Sequence, residues 1–499
     1  DKEKNQYNME EKYLYGAAVQ GIQSFIFQTN VLKDIVGASE LVEQICHEKL
    51  EDYTKGNTKG KVETILSAAG NIKLIFDSKE DCQKIVKKFP ERIMEIAPGI
   101  TISQAVVKME GDYAEFHNAV DELEKRLRVQ RNRPMPSLTT GLMGIKRSNK
   151  TGLPAKEIKE GDYLDDATKA KRNCSGNSKN SKLCKKAFGE ALLAKQFPFN
   201  IGDITSHNDW IAIIHADGNG LGQIVQKVGK NKDDFKKFSC KLEEATCKAA
   251  QDAWNAMKDD IAKCNPIPLR PVVLGGDDLT VICRADFAIE YVETFMKNFE
   301  TQTENLLGDI LTQHKVFDNG EKKLTACAGV AFIKSSYPFY YGYELAESLC
   351  GKAKKDAKGQ NSSLAPSCVM FHKVQDSFVE DYDKIAEREL KPNNYVSFEF
   401  GPYYVQDNIK DKPTIKHLLE SVEKLNSEDG NKIKTHLRQW LTDLHEDKAI
   451  AEQKRKRVLS LLPDGELKKL FRETTDMSNP KTMAYDMLAL ASIKYQKTK

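Results

Sequence analysis

Apolar and polar positions along this chain fall into the same order twice. In the clearer, second copy, the continuous apolar run Trp210-Ile211-Ala212-Ile213-Ile214-His215-Ala216 predicts a buried strand over 210–216. Helical spacing follows over 221–228 and 233–257, and then two short apolar runs over 271–274 and 279–283 predict a hairpin. A helix over 287–307, a strand over 324–333 and a helix over 341–357 complete a βαββαβ order, the ferredoxin-like unit. The earlier copy predicts a strand over 13–19, helices around 22–28 and 39–50, and hairpin strands over 62–67 and 72–76. It continues with a helix over 80–96, a strand over 100–108 and a helix over 113–129.

After 376 the character changes. A segment over 394–405 precedes helix-like stretches over 415–425, 432–445, 449–461, 465–472 and 482–495; Met483, Met487, Leu488 and Ala491 form the apolar stripe of the last. The expected organisation is therefore α+β: two ferredoxin-like units over 1–147 and 206–375, a connecting segment over 148–205, and a mostly helical segment over 376–499. The stretch over 148–183 is rich in Lys, Asn, Ser and Gly and reads as a loop-rich linker or insertion.

Composition narrows the function classes only modestly. Lys and Arg number 76 against 73 Asp and Glu, so no whole-chain field advertises nucleic-acid binding, and any such contact is local or made through partners. The run Lys454-Arg455-Lys456-Arg457 reads as a solvated helix face. No run approaches a membrane span, so a cytoplasmic protein is expected. Cys283, Cys327 and Cys350 lie in apolar runs like small core residues. Cys174 and Cys184 belong to no Cys-x-x-Cys pair, so zinc is not expected.

The chemistry concentrates at Gly275-Gly276-Asp277-Asp278, the tip of the second hairpin. Asp217 ends the preceding strand in Asp217-Gly218-Asn219-Gly220. Three carboxylates and the Gly218 carbonyl offer the hard oxygen ligands of Mg²⁺ or Mn²⁺. Two such ions would clamp the attacking and leaving oxygens of a phosphoryl transfer. Gly275, Gly276, Asn219 and Gly220 would let a nucleotide approach the backbone. Lys354 and Lys358, four apart on one helix face, would meet its triphosphate. A glycine-rich turn alone is usually solvated, and helix lysines usually face water; Asp217 beside the hairpin is what favours chemistry. Laid on the second copy, Ala69-Gly70-Asn71-Ile72 takes the place of Gly275-Gly276-Asp277-Asp278, with Gln20 near Asp217. The first copy thus lacks the acids, and its Gly21, Gln23, Gly70 and Asn71 are expected to line an acceptor pocket.

These residues together resemble the large palm subunit of type III CRISPR effector complexes, particularly the Cmr type. The resemblance includes Gly21-Ile22-Gln23-Ser24-Phe25-Ile26, Val36-Gly37-Ala38-Ser39-Glu40-Leu41, Thr151-Gly152-Leu153-Pro154-Ala155, Ala216-Asp217-Gly218-Asn219-Gly220-Leu221-Gly222, the hairpin and Ala353-Lys354. It implies two palm domains that make a signalling nucleotide from ATP when target RNA is bound. The product would be a cyclic oligoadenylate or a conjugate of ATP with an acceptor such as S-adenosylmethionine. Partners would be the other subunits, guide RNA and target RNA. Three departures stand out. Asn219 sits where many relatives carry an acid, so Asn219→Asp is expected to be tolerated. Gly144-Ile145-Lys146-Arg147-Ser148 stands where the family's zinc cysteines would be. The first unit begins by about Tyr13, and none of the 9 histidines is followed by Asp, so no HD nuclease activity is expected. A catalytically silent RNA-binding scaffold and a stand-alone nucleotide cyclase are the alternatives.

Overall fold

The computed structural model describes residues 11–46, 50–68, 70–133, 143–159, 161–176, 181–189, 197–205, 209–261, 264, 266–375 and 381–493. Ala69 and residues 494–495 of the sequence-based expectations lie outside them. The first unit comprises β1 (Tyr13–Gln20), α1 (Ile22–Ile26), α2 (Leu32–Gln44), α3 (Leu50–Asn57), β2 (Val62–Ala68), β3 (Asn71–Phe76), α4 (Lys79–Ile96), β4 (Thr101–Lys108) and α5 (Phe116–Arg131). Its strands form an antiparallel sheet in the order β2-β3-β1-β4. A connecting segment holds β5 (Glu157–Lys159), β6 (Asp162–Leu164), α6 (Asp166–Gly176) and α7 (Lys182–Phe188).

The second unit comprises β7 (Trp210–Gly218), α8 (Leu221–Val228), α9 (Lys232–Ile261), β8 (Leu269–Gly275), β9 (Asp278–Arg284), α10 (Ala288–Gln313), β10 (Ala326–Lys334) and α11 (Phe339–Gln360). Two strands that the sequence pattern did not signal extend its sheet: β11 (Cys368–Lys373), parallel to β10, and, after α12 (Tyr382–Glu389), β12 (Tyr403–Tyr404). The order is β12-β11-β10-β7-β9-β8. Strand β7 is central, and Ile211, Ala212, Ile213, Ile214 and Ala216 are all 0% exposed, which is why it reads as an unbroken apolar run. Helices α13 (Ile415–Asn426), α14 (Gly430–Glu446), α15 (Lys448–Leu461), α16 (Glu466–Thr474) and α17 (Ala484–Ala491) close the chain. Among the described residues no helix is long and apolar enough to cross a membrane.

The repeat extends to the irregularities. Both sheets carry the order fourth-first-third-second strand, and both hairpins carry a bulge in their first strand, between Thr64 and Leu66 and between Pro271 and Val273. Pairing fixes the overlay. Ala68 pairs with Asn71 as Gly275 pairs with Asp278, and Ala17 pairs with Ile72 as Ala216 pairs with Leu279. The sequence-based overlay is therefore displaced by one residue at the hairpin: Ala68, Ala69, Gly70 and Asn71 take the places of Gly275, Gly276, Asp277 and Asp278. Counting along β1 and β7 in the same way puts Ala18 at the Asp217 position and Gln20 at that of Asn219. The error arose because the first hairpin offers a single glycine to align on a Gly-Gly pair, whereas strand pairing counts residues from the bulge.

The connecting segment corrects another expectation. Besides its loops it carries helices that its composition did not signal: α6 packs on α2, and α7 packs on α9 and β8. Ala167, Leu183 and Ala187 are buried beneath its many polar residues. Lys171 of α6 donates to the Phe25 carbonyl (2.6 Å) and Gln28 (3.0 Å), and Lys186 of α7 bridges Glu43 and Glu243 at 2.5 Å each, tying the first unit to the second. Cys174 meets Gln44 (3.5 Å), while Cys184 is buried on α7.

Helix α11 lies unusually close to β10. A Cβ at Gly329 would fall 1.9 Å from the Ala346 carbonyl and 2.5 Å from the Cys350 nitrogen, both backbone atoms. Gly329→Ala should therefore cost about 1–3 kcal/mol through overpacking, read as a lowered urea midpoint at unchanged slope.

Candidate functional site

Strand β7 and the β8–β9 hairpin bring the acids together. Ala216 pairs with Leu279, and the next step of that register brings Asp217 level with Asp278. Gly275 pairs with Asp278 across the two-residue turn Gly276-Asp277, where Gly276 takes φ +64°. Thr246 of α9 donates to the Gly276 carbonyl (2.6 Å) and fixes the tip. One oxygen from each of Asp217, Asp277 and Asp278 lies within 4.8 Å of the others, the one such group of three or more among the described residues. Gly218 makes room for this: a Cβ there would stand 3.0 Å from Oδ2 of Asp277.

Three half-buried carboxylates this close cannot all ionise at ordinary cost. Burial, reinforced by the charge of Asp278 and the neighbouring Asp217, pushes Asp277 well above the usual carboxylate range. Burial and the charge of Asp217 push Asp278 up to about 7. At Asp217 burial works in the same direction, but the hydrogen bond with Asp277 and the charge of Lys354 outweigh it and hold the group below its ordinary value. Lys354 of α11 hydrogen-bonds the Asp217 carboxylate and the Gly218 carbonyl (2.9 Å to the latter). A cation thus already rests on two of the four expected metal ligands. Hard oxygen donors that hold protons and an ammonium group for want of countercharge fit a divalent metal ion.

The acids separate two cavities. On one side is a cleft of about 610 Å³, lined by Asp217, Asp277, Gly218, Asn219, Gly220, Lys354 and Lys358. On the other is a cavity of about 90 Å³ between the two units, where Asp278 and Gly275 face Gln23, Gly70, Ser39 and Glu43 of the first. Of the four expected acceptor residues, Gln23 and Gly70 line this cavity; Gly21 and Asn71 do not. Gly21 and Gly220 instead share a role, both left-handed (φ +61° and +71°) just before α1 and α8. Gln23 donates to the Tyr343 hydroxyl (3.0 Å) across the two units.

Asn219 is 4% exposed, and its amide donates to Thr325 Oγ1 (3.0 Å) and the Ala365 carbonyl (3.2 Å). It ties the end of β7 to the loops beside the cleft. Residues that the sequence reading missed include Lys227, which donates to the Val316 carbonyl (2.7 Å), and Ser362 and Ser363, all on the cleft wall. The loop residues carried no sequence signal, but Lys227 lies within two turns of the glycine motif. His215 and Tyr343 were legible. His215 is a polar interruption of an apolar strand, two residues from Asp217 and so on its face; Tyr343 lies three helical turns before Lys354. His215 meets Thr280 (3.2 Å), and burial lowers it to about 4.

Asn219→Asp replaces a double donor by a carboxylate facing two acceptors, so the sequence-based expectation of tolerance is reversed. The variant should lose about 1–3 kcal/mol in chemical denaturation. Asp278 sits at about 7 against an ordinary 3.8, so the protonated form is favoured by folding. Its contribution is complete at low pH and is lost as pH rises through about 7. Metal-free Asp278→Asn should therefore melt above wild type at about pH 8, with the gap narrowing as pH falls and closing only near the ordinary carboxylate value of about 4, and with Mn²⁺ restoring the wild type at the higher pH. A gap independent of pH would contradict this.

Residues 210–364 match the family described as Cas10/Cmr2, second palm domain. No curated protein matches the chain. Among solved structures, the chain resembles Csm1 in an apo Csm1–Csm4 cassette, with a TM-score of 0.51, 14% identity, and coverage of 97% of this chain and 70% of the other. It resembles Csm1–Csm4 in complex with cA4 at a TM-score of 0.50, 13% identity, and 97% and 69% coverage. At these identities the likeness concerns the fold. Residues 210–364 thus carry the second palm domain of that family, and the first unit repeats its sheet order on the other side of the connecting helices.

Proposed function

We propose that the chain is a metal-dependent nucleotidyltransferase of a type III CRISPR complex, making a signalling nucleotide from ATP. The observation that carries this reading is the position of Asp217, Asp277 and Asp278 in the wall between two cavities, with Lys354 and Lys358 on the larger. A cleft of about 610 Å³ suits a nucleotide triphosphate. Lys354 and Lys358 would neutralise the phosphates, Lys354 moving off Asp217 to do so. The Gly218 carbonyl and the three carboxylates would hold Mg²⁺ or Mn²⁺, which would offset charge on the reacting oxygens. In the reaction, a ribose 3′-hydroxyl attacks the α-phosphorus, the bond to the bridging oxygen breaks and pyrophosphate leaves.

The acceptor would enter from the inter-palm side, past Gln23, Tyr343 and Asp278. At about 90 Å³ that cavity must widen to admit any nucleoside. The product remains either a cyclic oligoadenylate or an adenylyl conjugate such as that of S-adenosylmethionine. A Csm1–Csm4 cassette has been solved in complex with cA4, which supports oligoadenylate chemistry and partner subunits for this chain.

The test is Asp277→Asn with Asp278→Asn in the assembled complex, with target RNA and radiolabelled ATP. Assembly should be unaffected. Product formation should vanish, since loss of the clamp costs several multiples of about 1.36 kcal/mol, each a factor of ten in rate. Mass spectrometry of products from ATP with and without S-adenosylmethionine identifies the acceptor. Equal turnover by both proteins would leave the scaffold reading.

A further inference from the structure

At the end of the second sheet opposite the acids, roughly 24 Å along β7, cations gather around one aromatic ring. Trp210 begins β7 and pairs with Lys334 at the end of β10. The Lys334 ammonium lies 4.5 Å from the Trp210 ring centroid, and that of Lys373, at the end of β11, lies 4.4 Å away. Arg438 of α14 lies near enough for its charge to act on Lys373, and its guanidinium makes no hydrogen bond or ion pair among the described residues. Lys434, one turn earlier, bonds only the neutral Asn426 (2.6 Å). Lys373 itself bonds the neutral Ser492 (2.6 Å), and burial together with the charges of Lys334 and Arg438 lowers it to about 8.

The basic run apparent in the sequence behaves differently. Lys454 pairs with Asp443 (2.6 Å), and Arg455 and Lys456 with Glu452 (3.3 and 3.7 Å). Three of the four cations of that run are thus matched by the protein's own acids. The cluster at Trp210 is assembled from three distant parts of the sequence, and neither Lys373, Lys434 nor Arg438 has an acidic partner among the described residues.

We propose that the surface formed by Trp210, Lys334, Lys373 and Arg438 binds the phosphate backbone of a single-stranded polynucleotide. The charges are spread over the ends of two strands and a helix face rather than gathered in a pocket, which suits an extended polyanion. The one aromatic ring is occupied by two ammonium groups. The patch therefore lacks the apolar centre of a protein interface, and its contacts are independent of base sequence. The surface is remote from the cleft and stands whether or not the cleft performs the proposed chemistry.

The experiment is fluorescence anisotropy of labelled oligouridylate and oligodeoxythymidylate with the full chain, between about 50 and 200 mM salt. Lys373→Gln with Arg438→Gln should weaken binding of both and reduce the slope of log K against log salt by about 1.4, roughly 0.7 for each phosphate no longer neutralised. Arg438→Gln alone removes no internal hydrogen bond or ion pair and should reduce it by about 0.7. The control Lys88→Gln with Arg92→Gln, whose partners are Glu91 and Glu95, should leave the slope unchanged. The Asp277→Asn, Asp278→Asn variant should bind as wild type. Equal slopes for the two oligomers support pure backbone contact; tighter RNA binding with the same loss identifies RNA as the source. Unchanged affinity and slope in the double variant, or an equal loss in the control, would overturn the proposal. So would a polyglutamate peptide that binds the patch without competition from either oligomer.

Discussion

The mutual repulsion of Asp217, Asp277 and Asp278 is the constraint around which the second palm is arranged. Pairing of β7 with β9 forces their carboxylates within 4.8 Å, and Thr246 holds the hairpin tip that carries two of them. The protein answers with protons on the hairpin acids and with the Lys354 ammonium on Asp217. Both are labile countercharges that a harder cation can replace. Helix α11 must therefore stay close enough to deliver Lys354, and Gly329 permits that approach by leaving the β10 backbone bare beneath Ala346 and Cys350.

The order of elements was legible because each carries its period cleanly. The two βαββαβ units follow from alternating short apolar runs and helical stripes. The Gly-Gly-Asp-Asp tip is conspicuous because its carboxylates sit between two short runs that are otherwise mostly apolar, Pro271–Leu274 and Leu279–Cys283. Three things were not legible. Strand β11 follows a polar loop and pairs in parallel with β10, a contact no local pattern announces. The connecting helices hide few apolar positions among many Lys, Ser and Asn residues, yet those positions suffice to wedge α6 against α2. Asn219 looks in sequence like a substituted metal ligand, but its burial against Thr325 and Ala365 is a tertiary fact.

The corrected overlay sharpens the asymmetry of the two palms. At the three acid positions the first palm has Ala18, Gly70 and Asn71. None carries charge, so the repulsion that organises the second palm is absent from the first, and nothing there draws a lysine onto the hairpin. The bulge is shared, but the tips differ in backbone as well as in charge: positive φ falls on Gly70 (+78°) in the first and, one position earlier, on Gly276 (+64°) in the second.

That difference would let one fold serve two roles across one interface under the proposed transfer. Both hairpins curl at the same place, but the first has Gly70 at the Asp277 position, where φ is +78° and a Cβ would meet Ile22 at 2.5 Å. Gly70 therefore sits close against Ile22 of α1, and both line the cavity between the units. The second tip fills the corresponding space with carboxylate. Facing units that differ in this way produce a wall with charge on one side and a receptive cavity on the other, the arrangement a transfer between two bound molecules requires. Two charged tips would repel across the interface, and two bare ones would hold no cation, so the proposed transfer would need acids on one copy and not on the other.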